Sequence, residues 1–280
     1  MTTPNRKFIS SALTVLTLLA LIYPTAWGAP LCCQYNLSIP KGIYVGIFGG
    51  GGHSGDNNAS QTGTAFFAPA NGGPLAVNAN GNTGGSAGIA GMHIGYAWPD
   101  YAMCKGGWNL TPAVELEGYY LRSNQEGDLL NPNARIPEHS FVDTFPMHTG
   151  VFLANAVWTL ETPYTNKLYP YLGVGIGAAI ISINGANSKQ IHPPEPGINH
   201  FNSNTHSTDG TFAGQAKAGL RFNLTNNWRL FAEYRFLYLS STNYKFGSTQ
   251  YPTHVPTTRW NVNIGNMIYN MGALGIEYSV

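Results

Sequence analysis

Charge is scarce in this chain. Asp, Glu, Lys and Arg together make up 10% of its 280 residues, well under the quarter usual for soluble domains. The formal net charge is +1, which leaves no basic face for nucleic acid, and no nucleic-acid partner is expected. Long apolar runs are missing too: past the amino terminus no stretch approaches the roughly 18 consecutive apolar residues of a spanning helix. Cysteine is limited to Cys32, Cys33 and Cys104, with no Cys-x-x-Cys and no zinc spacing. No phosphate loop or dinucleotide fingerprint occurs, since Gly49 to Gly52 are followed by no helical pattern. What is plentiful is Gly, at 34, and Tyr, at 16, with many Asn, Ser and Thr. That mixture fits an exported β protein.

The amino terminus supplies the export. Arg6 and Lys7 precede an apolar run from Phe8 to Tyr23, Pro24 breaks it, and Ala26-Trp27-Gly28 offers small residues for cleavage. Residues 1–28 are read as a cleaved signal peptide and 29–41 as a short periplasmic lead. Export permits a disulfide, and the odd count leaves at least one thiol over.

The clearest structure signal is a hairpin around Thr225-Asn226-Asn227-Trp228. Before the turn, Phe212, Gly214, Ala216, Ala218, Leu220 and Phe222 share one face, and Gln215, Lys217, Gly219 and Arg221 the other. After it, Leu230, Ala232, Tyr234, Phe236 and Tyr238 oppose Arg229, Glu233 and Arg235. Period two across a tight polar turn is a hairpin. Its apolar face carries no charge and ends in aromatics, as expected where lipid lies outside and the charges point into a lumen.

Six more segments resemble these two. Strands are expected at 42–50, 86–98, 111–122, 148–160, 168–181 and 268–280, beside 212–222 and 229–238. Long loops are expected at 51–85, 123–147, 182–210 and 240–267, alternating with short turns. Glu115 and Glu117 agree in parity, as do Lys217 with Arg221, and Arg229 with Glu233 and Arg235; Glu277 lies opposite Leu274, Ile276 and Tyr278. A lipid-facing Arg or Lys near the midplane costs about 2–4 kcal/mol, so this parity is physically required. A soluble sandwich would instead need four loops of about 25 residues or more, uncommon in compact domains. The expected fold is all-β: an eight-stranded antiparallel transmembrane β-barrel over residues 42–280. Its long loops would be extracellular, its short turns periplasmic and both mature termini periplasmic.

Residues 40–280 resemble the eight-stranded outer-membrane barrels related to outer membrane protein A and the opacity proteins. The resemblance is carried by Asn155 to Leu160, the turn, and Tyr169-Pro170-Tyr171-Leu172-Gly173-Val174-Gly175-Ile176-Gly177. It is carried also by Gly219 to Phe222 with Trp228 to Arg235, and by the closing Gly272 to Val280. The family usually ends in Phe, where this chain has Val280 with Tyr278 two before it. The resemblance implies the cell outer membrane, surrounding lipid and lipopolysaccharide, the barrel assembly machinery as a partner during insertion, and no shared active site.

The candidate site is the lumen: Glu115, Glu117, Glu233 and Glu277 against Lys217, Arg221, Arg229 and Arg235. An eight-stranded barrel is only wide enough for side chains to fill, so these eight are expected to pair and plug it. Gly173, Gly175 and Gly177 should line the same interior, with His93. Histidines 53, 139, 192, 200, 206 and 254 are assigned to loops; their spacing is irregular and no acidic pair accompanies them, so no metal and no cofactor is expected. A disulfide from Cys104 to Cys32 or Cys33 is expected on the periplasmic rim. No enzyme signature is found. The function read from this is a structural outer-membrane barrel whose loops adhere to or contact a host surface or extracellular ligand; the alternative is a narrow porin-like channel for small solutes.

Overall fold

A computed structural model of the chain describes residues 39–102, 108–132, 135, 139–165 and 167–280. The leader, most of the lead and all three cysteines lie outside the described residues. Among the described residues are twelve strands: β1 (Gly42–Ala65), β2 (Leu75–Ala97), β3 (Tyr101–Ala102), β4 (Asn109–Asn131), β5 (His139–Glu161), β6 (Leu168–Asn184), β7 (Asn187–His192), β8 (His206–Asn223), β9 (Trp228–Leu239), β10 (Thr242–Lys245), β11 (Asn261–Ile264) and β12 (Met267–Ser279). Among the described residues no helix is long and apolar enough to cross a membrane.

Eight of these strands close into a ring. Antiparallel pairing runs β1–β2–β4–β5–β6–β8–β9–β12, and β12 returns to β1 with Tyr44 opposite Ser279. Closure removes every edge, the one condition under which a sheet can sit in hydrocarbon. The expected hairpin is present, with Phe222 opposite Leu230 and Lys217 opposite Arg235. Strand β1, whose facing its glycines obscured, puts Tyr44 and Phe48 inside and Ile43, Val45 and Ile47 outside.

The outer wall of the lower half is a continuous apolar belt. Ile47, Met92, Leu116, Phe152, Leu172, Ile176 and Leu274 are each at least 59% exposed. An aromatic row of Tyr96, Trp98, Trp158, Trp228 and Tyr278 borders it below, and Tyr120, Phe212 and Tyr234 stand near its upper limit. Each strand crosses the belt in roughly 9–11 residues, the number a tilted strand needs. Ile176, 66% exposed at mid-belt, provides a test. Ile176→Arg is expected to lower the unfolding free energy in lipid vesicles by about 2–4 kcal/mol; equal urea midpoints would mean that this face does not meet lipid.

Above the belt the structure departs from the sequence reading. The stretches 51–85 and 123–147 are not loops: β1 and β2 continue to a turn at Pro69–Asn71, and β4 and β5 continue to Asn131 and His139. Within 182–210 and 240–267, β7, β10 and β11 form, and β8 begins at His206. The cause is a reversal of polarity. Once a strand leaves lipid, its outer face meets water and its inner face can be apolar. Asn124, Glu126 and Asp128 point outward on β4 while Leu121, Gln125 and Leu129 are buried. The upper tier therefore has an ordinary core, built from Leu129, Phe141, Phe145, Met147, Phe201, Phe246, Trp260 and Ile264, all buried. Phe201 and Phe246 stack at 4.6 Å.

Three short strands and two loops complete that tier. β7 extends the wall beside β5, and β11 beside β1 with β10 on its far side. Hydrogen bonds join β10 to the start of β8: Asn243 N–H donates to Asp209 Oδ2 at 2.8 Å and Lys245 N–H to Ser207 Oγ at 3.1 Å. Gly63 is a glycine for a packing reason, since a Cβ there would lie 2.6 Å from the Trp260 ring.

Candidate functional site

All eight charged residues expected in the lumen meet there, and each is at most 6% exposed. They come from the adjacent strands β8, β9 and β12 and from β4, separated from them by two strands on either side, because period-two alternation turns every second residue of each inward. Lys217 Nζ bridges Glu115 and Glu117. Arg221 joins Glu115 at 2.9 Å and Glu277 at 3.0 Å. Arg229 Nε lies 3.1 Å from Glu277 Oε2, a contact of charge rather than an aligned hydrogen bond. Arg235 spans from Glu117 to Glu233. Four carboxylates and four cations leave no net charge, the condition under which buried ions can be tolerated at all.

Parity would have found further members of the network that charge alone did not. Tyr44 donates to Glu115 at 2.7 Å, and Tyr171 donates to Glu233. Arg221 donates to Thr159 at 2.8 Å, and Gln215 to Asn155 at 2.9 Å. Guanidinium planes lie over aromatic faces, Arg235 on Phe48 at 3.9 Å and Arg221 on Tyr171 at 4.3 Å. His93 is inside as expected, with Nε2 3.2 Å from Glu277. Gly173, Gly175 and Gly177 face inward too, and side chains stand over the first two. The space over Gly173 holds the Lys217 stem, 3.0 Å from where a Cβ would stand, and Gly175 is covered by the Asn155 amide. His93, Glu115 and Glu117 are close enough to share a cation, and the Lys217 ammonium already takes that place beside the two glutamates.

The upper tier holds a second polar cluster. The histidines are not mostly in loops: His53, His139, His192 and His206 lie on strands, while His200 and His254 lie in the two segments over the tier. Glu195 joins those two. Its Oε2 lies 3.4 Å from His200 Nε2 and 3.2 Å from His254 Nε2. The imidazoles cross edge-on at 5.3 Å, and His200 also stands against Phe141 at 5.2 Å and Trp260 at 5.8 Å. Hydrogen bonds from His200 and His254 hold the Glu195 carboxyl down to about 2, and the Glu195 partner raises His254. Glu195 and His200 lie five apart in one Pro-rich loop, but His254 comes from a different loop, so no local pattern could announce the set.

Below that cluster Asp143 is fully buried. Its neighbours are Ser188 and the Gln61 amide, whose nitrogen, turned toward the carboxyl, comes within 2.6 Å. Burial pushes the Asp143 carboxyl up to about 7, against the hydrogen bond from Ser188. Nearby, burial lowers His139, which is held between Asn131 at 2.8 Å and Gln190 at 2.6 Å.

No protein-family model and no curated protein matches this chain. Among solved structures, Neisserial surface protein A aligns over 86% of this chain and 98% of its own, at 14% identity and TM-score 0.36. The outer membrane protein OprG of Pseudomonas aeruginosa aligns over 87% and 99%, at 12% identity and TM-score 0.40. The outer membrane protease OmpT of Escherichia coli aligns over 86% and 97%, at 10% identity and TM-score 0.38. Identities this low transfer no residue role.

Proposed function

We propose that this chain is an integral outer-membrane barrel with a closed lumen, whose working part is the rigid tier above the belt. On this reading residues 1–28 direct export and the barrel assembly machinery inserts the closing strand. Both mature termini stay in the periplasm, and the belt meets outer-membrane lipid. The tier then stands above the lipopolysaccharide headgroups and presents its surface to a host surface or extracellular ligand; no catalytic step is assigned to it.

The observation that carries the reading is a buried, charge-balanced lumen network beneath a tier with its own aromatic core. A channel needs solvent along its axis, whereas here Arg235 is 0% and Glu115 and Glu277 are each 1% exposed. A tier that only shielded the membrane would need no such core. Its outer face is rich in neutral amides, including Asn58, Asn78, Asn80 and Asn82, groups that hydrogen-bond sugars and peptides without a strong charge preference.

The test is conductance in a planar bilayer of refolded protein that migrates differently in a detergent gel before and after heating. The expected result is silence, in the wild type and in Glu233→Gln alike. Reproducible discrete openings that change with Glu233→Gln would replace this reading with the narrow channel.

A further inference from the structure

The geometry points to a transition-metal site on the tier, in which Glu195, His200 and His254 bind one divalent ion of the zinc class and so tie the loop 193–205 to the loop 246–260. The argument starts from the ring nitrogens that face away from the cluster. His200 Nδ1 lies 3.1 Å from the Ser188 carbonyl oxygen and His254 Nδ1 lies 2.6 Å from that of Val255. A carbonyl only accepts, so each contact is a hydrogen bond when Nδ1 carries the proton. In neutral imidazole the other nitrogen is then a bare lone pair. Both Nε2 atoms lie near the same carboxylate oxygen, Glu195 Oε2, His200 at 3.4 Å and His254 at 3.2 Å. Each Nε2 stands within reach of Glu195 Oε2, a contact that a ring proton can make or that one metal cation can replace by drawing the three donor atoms onto itself.

The spacing suits the metal. Zn–N and Zn–O bonds of about 2.0–2.1 Å in a tetrahedron place neighbouring donor atoms about 3.3 Å apart. The two nitrogen–oxygen distances here are 3.2 and 3.4 Å, and all three donor atoms fall within 4.8 Å of one another. Two imidazoles and one carboxylate are a borderline donor set of the kind zinc accepts, leaving a fourth position for water or an incoming ligand. The backbone carbonyls on Nδ1 are the outer partners that metal-bound histidines usually have; they fix the ring and raise its basicity. Hydrogen bonds hold the frame. Glu195 N–H donates to Gln190 O, His254 N–H to Tyr251 O, and Thr249 Oγ1 to His200 O at 2.9 Å. Glu195 is the solvent side of the site, its side chain 33% exposed against 3% for His200 and 12% for His254.

The experiment is calorimetric titration of ZnCl2 into the untagged, refolded barrel, repeated with CoCl2 to read the visible spectrum of a four-coordinate site. One tight equivalent is expected, weakened in His254→Ala and in His200→Ala by more than the roughly 10–100-fold that losing an outer partner costs. Glu195→Gln should weaken it by about 10-fold or more. His200 is buried, so if its variant fails the heat-modifiability check, His254→Ala and Glu195→Gln at the wetter rim carry the test. Hydrogen exchange should also slow in both loops when Zn2+ is added. Binding that is equal in wild type and His254→Ala, or no binding above that variant, overturns the site. Neither result depends on whether the lumen conducts.

Discussion

Replacing Arg235 by Met is expected to cost the barrel about 3–5 kcal/mol, the usual penalty for removing one partner of a buried ion group. Arg235 is 0% exposed and binds both Glu117 and Glu233 while lying over Phe48. Met would refill most of the volume, so a cavity is not the main loss. The loss is electrostatic: Glu117 keeps Lys217 at 3.1 Å, but Glu233 keeps only the Tyr171 hydroxyl. A neutral eight-residue network becomes a buried net anion. The second half of the test follows from that cause. Adding Glu233→Gln restores neutrality and still leaves an oxygen to accept from Tyr171. The double variant Arg235→Met/Glu233→Gln should therefore be more stable than Arg235→Met alone. Urea unfolding in detergent micelles, followed by tryptophan fluorescence, measures all four corners of the cycle. A double variant that loses the sum of the two single losses would show that shape, not charge balance, sets the stability of this core.

That network could be read from sequence and the upper tier could not, and the difference is physical. Inside lipid, one side of every strand has no choice: a charge on it is costly, so Lys217, Arg221, Glu233 and Arg235 fall on one parity while Leu220, Ala232 and Tyr234 fall on the other. Eight strands obeying one constraint give the ring its count and its facing. Above the belt the constraint ends. On β2, Asn78, Asn80 and Asn82 face out and Val77, Ala79 and Thr83 face in, a contrast too weak to separate from a Gly- and Asn-rich loop. β4 shows the reversal: Leu121 and Leu129 lie inside above the belt, whereas Leu116 lies outside within it. A pattern sought with one polarity along the whole strand breaks where the solvent changes. One clue was present. Phe246 and Trp260 lie in a stretch read as an exposed loop, and both are 1% exposed. Large aromatics in an extracellular loop signal a core of its own. The Glu195–His200–His254 cluster had no comparable signal, because its third member arrives only through that core.

Asp143 yields the other large effect, and its sign follows from the direction of its shift. Burial raises its carboxyl to about 7, above the roughly 3.9 of an unfolded Asp. The folded tier therefore holds this proton more tightly than the open chain does. The stability it contributes is fully present below about pH 4 and is lost as pH rises through about 7. The whole change across that window is of order 4 kcal/mol. Its hydrogen-bonding neighbours, Gln61 and Ser188, are neutral, so ionisation at alkaline pH leaves a carboxylate facing amide and hydroxyl dipoles alone. Asp143→Asn removes the ionisation and keeps the size. At pH 8 the variant's tier should open less often than the wild type's. At pH 4.5, where the native carboxyl is protonated, the two should differ by about 1 kcal/mol or less, the scale of one hydrogen bond. Hydrogen exchange of the amides in β5 above Met147 and in β7, compared between wild type and variant at the same pH, separates the two cases. Equal protection at pH 8 would mean that Asp143 ionises at its ordinary pH and that water or a cation reaches it. The effect should be confined to the tier: the belt strands, whose lumen holds its charges in a separate balanced network, should exchange alike in both proteins at either pH.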